Sequence, residues 1–319
     1  MKLLFIIDPI NKLDPTHDST VAMMEGALHL GHEIWITYLN QLSIIDNKAY
    51  GETCQVNIYP VELVGGIWQA PSPWYEVQKL ELLPLESFDA VFMRKDPPVN
   101  TSYLYATYIL DLVNPEKTKV INSPQGIRGA NEKVYALNFP TVIPDTIVSQ
   151  SKTVIADFLQ QKQQVVIKPL GGKAGEGILF VQEDDRNFNS LIEISTKQGQ
   201  EPVMIQEYLP SAKEGDKRII LVNGAVMGAV NRIPTGKDFR GNMAVGGRVA
   251  KTEITPQDLK ICETVAPKLV ADGLFFVGID VIGGYLTEVN VTSPTGIREI
   301  DRLHGVNLGQ ETIKILEQL

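Results

Sequence analysis

One eleven-residue stretch constrains this chain more than any other. From Asp280 to Asn290 it reads DVIGGYLTEVN, an apolar strand, a Gly-Gly turn and a second strand, with oxygen-bearing side chains at Asp280, Glu288 and Asn290. Glu288 and Asn290 are two apart and so share a strand face. A strict two-residue turn at Gly283-Gly284 would pair Ile282 with Tyr285 and send Asp280 to the opposite face. Uniting all three therefore requires a three-residue loop or a bulge, for which Gly283 and Gly284 supply conformational freedom. Two carboxylates and an amide oxygen on one face are hard ligands. They suit Mg²⁺, which takes few protein ligands and fills its octahedron with phosphate oxygens and water. The same pattern also describes a hairpin whose polar residues simply face water, so the rest of the chain has to decide.

The chain's 319 residues are enough to bury a core in two or three lobes. The net charge of −9 argues against a nucleic-acid partner, which calls for a basic face. An anionic ligand must then be held by local Lys and Arg groups. Cys54 and Cys262 stand far apart in no metal-type spacing, which fits a reduced, cytoplasmic protein. The opening apolar run, Leu3 to Ile7, is too short for a secretory leader and reads as a buried first strand. No apolar stretch approaches the roughly 20 residues that span a membrane, so no membrane association is expected.

Along the chain, a strand at 3–7, a helix from Val21 to Leu30 and a strand from His32 to Tyr38 form a βαβ start and predict a Rossmann-like layer. No Gly-x-Gly-x-x-Gly follows the first strand, which speaks against a dinucleotide site there. Residues 46–84 show no regular period and are expected to be irregular. Ala90 to Met93 is a strand, and Arg94-Lys95-Asp96-Pro97-Pro98 follows its carboxyl end, where open α/β sheets place ligand groups. Tyr103 to Val113 is a helix, and the strand at 120–122 closes a first domain over residues 1–122. Beyond it, 123–319 divide into a lobe over about 136–205 and a C-terminal lobe over about 206–319. The segment 233–248 is rich in glycine and predicts a long mobile loop.

Several groups in the second part can carry chemistry. The loop Gly171 to Gly177 lies between two strands and lacks a P-loop ending. It can still fold its backbone N–H groups over phosphates, or be a plain surface hairpin. Lys168 ends the strand before it, and Lys133 lies in Asn131-Glu132-Lys133; each can act as a point charge on phosphate or as a solvated surface lysine. Glu207-Tyr208-Leu209 can offer backbone groups and an apolar wall to a purine. Arg218 and Arg232 present forked donors suited to carboxylate or phosphoryl groups, or to surface salt bridges, and Ser293 and Thr295 lie just beyond the Glu288–Asn290 strand, in a turn able to bind a carboxylate or phosphate or to be a plain polar turn.

Each group is ambiguous alone, but their order is not. Lys133, Lys168, the glycine loop, Glu207-Tyr208-Leu209, Asp216-Lys217-Arg218, Arg232 and then Asp280…Glu288-Val289-Asn290 resembles the ATP-grasp superfamily. The segments Met93 to Pro98, Asn131 to Lys133, Ile167 to Leu170, Gly215 to Arg218 and Glu288 to Thr295 narrow the resemblance to the prokaryotic glutathione synthetase family, over nearly the whole length. The resemblance implies a fold class of mixed α/β and α+β, a Rossmann-like N-terminal domain followed by a two-lobed ATP-grasp fold. It implies an ATP-dependent ligase joining γ-glutamylcysteine and glycine through an acyl phosphate, as a homotetramer or homodimer. Lys133, Lys168, Gly171, Gly172, Gly175, Gly177, Glu207, Tyr208, Leu209 and Asp216 would bind ATP, Asp216 at the ribose. Asp280, Glu288 and Asn290 would hold Mg²⁺, or Mn²⁺. Arg218 and Arg232 would be catalytic, and Arg94, Arg232, Ser293 and Thr295 would bind the peptide. The alternative is another ATP-grasp carboxylate–amine ligase, of the D-alanine–D-alanine or glutamate-adding type. A non-catalytic ATP-binding regulator would not need the complete metal set.

Overall fold

A strand that is apolar on both faces must be covered on both. In the computed structural model, which describes residues 1–172, 175–235 and 247–319, β1 (Lys2–Ile6) is that strand, with Leu3 to Ile6 fully buried. It is followed by α1 (Ser19–His29), whose Asp18 side chain caps the N–H groups of Thr20 and Val21, and by β2 (Glu33–Thr37). Then come β3 (Leu42–Ile45), β4 (Lys48–Ile58), β5 (Glu62–Val64), β6 (Ile67–Gln69), β7 (Tyr75–Val77), β8 (Glu81–Pro84), β9 (Ala90–Met93), α2 (Thr101–Leu110), β10 (Lys119–Ile121) and α3 (Pro124–Gly129). The sheet runs β10-β9-β1-β2-β4-β3, with β7 and β8 also paired to β4. Its first four strands are parallel, the doubly covered layer expected from the βαβ start.

The region 46–84 corrects the expectation of irregular chain. It holds the eleven-residue β4 and four short strands. In β4 the inward positions include Ala49, Gly51 and Thr53, too small or polar to mark an apolar alternation. The short strands expose most of their side chains and exist through backbone pairing, β7 and β8 to β4 and β5 to β6.

The second part begins with β11 (Thr146–Ser149), α4 (Lys152–Lys162), β12 (Gln164–Pro169), β13 (Leu179–Gln182), α5 (Phe188–Ser195) and β14 (Val203–Glu207). Their sheet, β11-β14-β12-β13, is antiparallel throughout. It encloses a separate core of Ile155, Leu159, Val165, Ile167, Val181 and Ile205. Then follow β15 (Asp216–Val222), β16 (Ala225–Ile233), β17 (Arg248–Lys251), α6 (Pro256–Ala271), β18 (Phe276–Ile282), β19 (Tyr285–Asn290), α7 (Ile297–His304) and α8 (Leu308–Leu316). This antiparallel sheet runs β17-β16-β15-β18-β19. Helix α6 starts with a capping box of Thr255 and Asp258 and a proline at its first position.

The β15–β19 sheet shares its core with the first domain. Leu4, Ile6 and Val91 pack in one cluster with Ile219, Leu221 and Ile279, and Leu3, Phe5 and Phe92 in another with Ile220, Phe276 and Leu308. Asn122 ties the two parts: its Nδ2 donates to the carbonyls of Phe276 (2.9 Å) and Val291 (2.8 Å), and its Oδ1 accepts from Phe276 N–H. Helices α1 and α8 cross at Gly26 and Gly309. A Cβ on Gly309 would lie 2.1 Å from the Ala22 carbonyl oxygen, and one on Gly26 would lie 2.4 Å from Gln310 N. Backbone cannot yield as a side-chain tip can. Gly309→Ala is therefore expected to push the helices apart and lower stability by about 1–3 kcal/mol. A thermal melt that matches the parent would rule out so close a crossing.

Candidate active site

Directly opposed residues of an antiparallel pair share a face, and in this sheet that rule assembles the chemistry. Arg218 on β15 faces Asp280 on β18, Asp280 faces Glu288 on β19, and Asp216 on β15 faces Arg232 on β16. The turn at Gly283-Gly284 is the strict two-residue kind, with Ile282 opposite Tyr285. Both glycines have positive φ, 56° and 82°, as such a turn requires. The register then shifts: Val281 faces Leu286, but Asp280 faces Glu288, so Thr287 is the extra residue. The bulge thus sits three residues beyond the turn, and it alone turns Asp280 onto the face of Glu288. Asn290 Nδ2 lies 3.3 Å from Asp280 Oδ2 and completes the group.

Arg218 grips Asp280 in a fork, Nε to Oδ1 at 2.5 Å and Nη2 to Oδ2 at 2.9 Å. Its remaining Nη1 donates to the Thr295 carbonyl at 3.1 Å. Arg232 Nη2 bridges Asp216 Oδ2 (2.5 Å) and Asp280 Oδ2 (2.9 Å). Burial disfavours the Asp280 charge, but Arg218 and then Arg232 outweigh it and hold its carboxyl far below the usual carboxylate range. Asp216 goes the other way. Burial pushes its carboxyl up, only partly opposed by Arg232. Its Oδ1 is buried without a hydrogen-bond partner among the described residues.

Two cavities flank this face. The first is lined by Lys133, Lys168, Gly172, Gly175, Glu207 and Tyr208, and by Leu209, Asp216, Asp280 and Glu288. It lies between the β11–β14 lobe and the β15–β19 sheet. Gly171 and Gly177 belong to the same loop but do not line it. Lys173, Ala174 and residues 236–246, most of the expected mobile loop, lie outside the described residues. Lys133 is neither solvated nor on a helix surface: it is buried, and its Nζ donates to the Gly172 carbonyl (2.7 Å) and Glu288 Oε1 (3.0 Å). Lys168 Nζ donates to Gln206 Oε1 at 2.8 Å, and burial, then the nearby Lys133 charge, lowers its pKa. The Glu207 and Tyr208 N–H groups are committed to the Asp145 and Gln164 carbonyls, leaving the Leu209 N–H without a partner among the described residues.

The second cavity is lined by Arg218, Arg232, Glu288, Asn290, Ser293 and Thr295 on one side and by Asp8, Lys12, Asp14, His17, Asp18 and Asp96 of the first domain on the other. Glu288 lines both cavities, so they meet at its carboxylate. Arg94 is not among the lining residues. It is buried behind the wall, with Nε on Thr20 Oγ1 (3.1 Å), Nη2 on the Pro294 carbonyl (3.1 Å) and its guanidinium 5.0 Å from the Phe276 ring. It thus braces the Ser293–Thr295 turn from the rear. Glu132, which sequence reasoning passed over, braces it from the other end: its Oε1 accepts from Val291 N, Thr292 N and Thr292 Oγ1 at 2.9–3.1 Å. Its place beside Lys133 was visible in the sequence, but nothing there marked it as buried.

The donor set fits a hard divalent cation. Among the described residues no three His, Cys, Asp or Glu side chains cluster as a metal cage. Two carboxylates and an amide, with an open cavity on each side, are what Mg²⁺ uses when phosphate supplies its other ligands. Among the described residues Asp280 Oδ1 accepts from Arg218 Nε alone and has two lone pairs, so the arginines do not exhaust the carboxylate.

Comparison with known proteins gives the family. The family model for the prokaryotic glutathione synthetase N-terminal domain matches residues 1–128, and that for the prokaryotic glutathione synthetase ATP-grasp domain matches 132–305. The chain is 63% identical over 319 residues to a protein named glutathione synthetase from Synechococcus elongatus, covering 100% of this chain and 99% of the relative. It is 48% identical over 318 residues to the glutathione synthetase of Gloeobacter violaceus, covering 98% and 95%. Among solved structures, D-cycloserine synthetase DcsG matches with a TM-score of 0.67 at 13% identity, over 99% of both chains. The ATP-grasp ligase PsnB, complexed with a phosphomimetic variant of its minimal precursor, Mg and ADP, matches at 0.61 and 15%, over 99% and 97%. These two likenesses establish the fold, a Rossmann-like domain followed by the two lobes of an ATP-grasp. The chain belongs to the prokaryotic glutathione synthetase family.

Proposed function

We infer that this chain is an ATP-dependent peptide ligase that joins γ-glutamylcysteine to glycine, giving glutathione, ADP and phosphate. The observation that carries the reading is the meeting of the two cavities at Glu288, where a nucleotide phosphate on one side faces a carboxylate substrate on the other. The 63% identity over the full length to a protein named glutathione synthetase supports these substrates.

In this reading the first cavity takes ATP. The Leu209 N–H and the Tyr208 wall suit adenine, and the orphaned Asp216 Oδ1 suits a ribose hydroxyl donor. Lys133, Lys168 and the Gly172–Gly175 loop suit the phosphates. Mg²⁺, with Mn²⁺ as a substitute, would be held by Asp280, Glu288 and Asn290 and supplies positive charge against the phosphate oxygens. The cysteinyl carboxylate displaces ADP from the γ-phosphoryl group, forming an acyl phosphate. The glycine amine then displaces phosphate from the acyl carbon. No side chain acts as nucleophile; Lys133, Lys168 and Arg232 neutralise the moving charge, and Arg218 fixes Asp280 and the Thr295 carbonyl. Ser293 and Thr295 hold the peptide, and Arg94 acts on it through their turn. Residues 1–122 supply the far wall of the peptide cavity, and 123–319 the ATP-grasp part. Free Cys54 and Cys262 suit the cytoplasm, and a homodimer or homotetramer is the assembly expected of it.

The test is ADP release with Mg²⁺-ATP, γ-glutamylcysteine and glycine, omitting one component at a time. ADP and glutathione are expected in equal amounts, and only when all are present. ADP formed with D-alanine or glutamate as acceptor in place of glycine would move the chain to the alternative ligase class.

A further inference from the structure

The peptide cavity is lined by two basic side chains that the ligase chemistry has not used, Lys12 and His17, and among the described residues only His17 has a carboxylate holding it in place. His17 lines it from the first domain, beside Asp14 and Asp18. Its Nδ1 donates to Glu299 Oε1 at 2.5 Å, and its Nε2 has no partner among the described residues. Glu299 is nearly buried on α7, and the same helix is clamped to the loop before His17 by Arg298 Nε, which donates to the Pro15 carbonyl at 3.0 Å. The ring is therefore held at one nitrogen, lines the cavity and keeps the other nitrogen uncommitted among the described residues.

We propose that His17, oriented by Glu299, is the binding residue for the α-carboxylate of the γ-glutamyl group. This rests on the ligase reading above. The reacting cysteinyl carboxylate belongs at Glu288, where the cavities meet, and glycine joins that same carbon, so its own carboxylate stays close by. The glutamyl α-carboxylate lies at the far end of the γ-linked chain, about 9 Å away when extended. Glu299 stands on the first turn of α7, beyond the turn whose Thr295 carbonyl holds Arg218, and so lies away from the reacting end of the cavity. The glutamyl head is a zwitterion, and the Asp14 and Asp18 carboxylates beside His17 suit its ammonium.

A neutral imidazole that donates through Nδ1 leaves Nε2 as an acceptor, which repels a carboxylate; only the imidazolium donates from both nitrogens. Glu299 first, then Asp14 and Asp18, raise the His17 pKa against the opposing effect of burial. The charged form therefore persists to higher pH than in a free histidine and is lost as pH rises through that raised value. Lys12 also lines the cavity and is the second cationic side chain on the first-domain wall.

The experiment compares the parent enzyme with His17→Gln and His17→Lys. It uses γ-glutamylcysteine and 4-aminobutanoyl-cysteine, which lacks only the α-carboxylate. His17→Gln is expected to raise KM for γ-glutamylcysteine roughly ten- to a hundredfold, the worth of a charged hydrogen bond, with KM for ATP and glycine unchanged. It should cost nothing with 4-aminobutanoyl-cysteine, because the group His17 reads is missing. His17→Lys should keep the low KM and lose the fall in kcat/KM at rising pH. An equal penalty on both peptides, or a KM change for glycine instead, overturns the assignment while leaving the ligase reading intact. A parent enzyme that makes no glutathione removes both.

Discussion

Glu288→Ala is expected to lower ADP formation by about 10²–10³-fold, the scale seen when one preorganised electrostatic contact to a reacting group is removed. The expectation follows from position. Glu288 is the one proposed metal ligand that also lines both cavities, and it pairs with Lys133, so its loss disturbs a proposed metal ligand and a proposed phosphate contact together. The fold should survive. Glu288 lies on the edge strand β19, its side chain is 23% exposed, and Lys133 keeps its bond to the Gly172 carbonyl. A circular dichroism melt close to that of the parent, together with lost turnover, is the predicted pair of results. Near-normal ADP production by a well-folded variant would remove Glu288 from the reaction.

Arg218→Ala should damage both turnover and stability. Removing one partner of a buried ion pair leaves a charge without compensation and costs on the order of 3–5 kcal/mol. Here Asp280 would keep only Arg232, and the Thr295 carbonyl would lose its donor. Lysine is no substitute, since a point charge cannot reach both Asp280 oxygens and the carbonyl from one atom. The acid limb of stability should move as well. A carboxyl whose folded pKa is depressed contributes stability that is present above its unfolded value, about 3.9, and is lost as pH falls through the folded value. In the parent that loss for Asp280 comes well below the ordinary carboxylate range. In Arg218→Ala it should begin at a higher pH, visible in melts recorded from neutral pH downwards. Parallel acid limbs for the two proteins would count against Arg218 as the main support of the Asp280 charge.

The legible part of this molecule was the part where residue type and spacing act locally. The two-residue separation of Glu288 and Asn290 fixed their common face, and the parity of the hairpin demanded a bulge or a longer loop. Where the bulge falls was not legible, because Thr287 has no feature that distinguishes it from an ordinary strand residue; packing against neighbouring strands decides it. The order of Lys, glycine loop, Arg and carboxylates announced the ATP-grasp architecture. The short strands of 46–84 escaped notice because they are defined by pairing, β7 and β8 with β4 and β5 with β6, rather than by side-chain pattern. Arg94 carried the right chemistry for a substrate contact, yet the fold places it behind the Ser293–Thr295 turn, an arrangement that depends on Thr20 and Pro294, distant in sequence. His17 shows the converse: nothing near it in the sequence suggests Glu299, 282 residues away.

The core of the β11–β14 lobe is closed on itself, whereas the other two sheets share theirs. Opening that lobe leaves the core shared by the other two sheets covered, so it can loosen at a free energy well below that of global unfolding. Amide protons of β12 and β14 should then exchange with solvent faster than those of β15 and β18. A nucleotide bound against both sheets would couple the two protection levels, because a ligand that needs both surfaces stabilises only the closed arrangement. Seen this way, the first cavity is a seam along which the protein breathes, and its occupant is what stitches the seam shut.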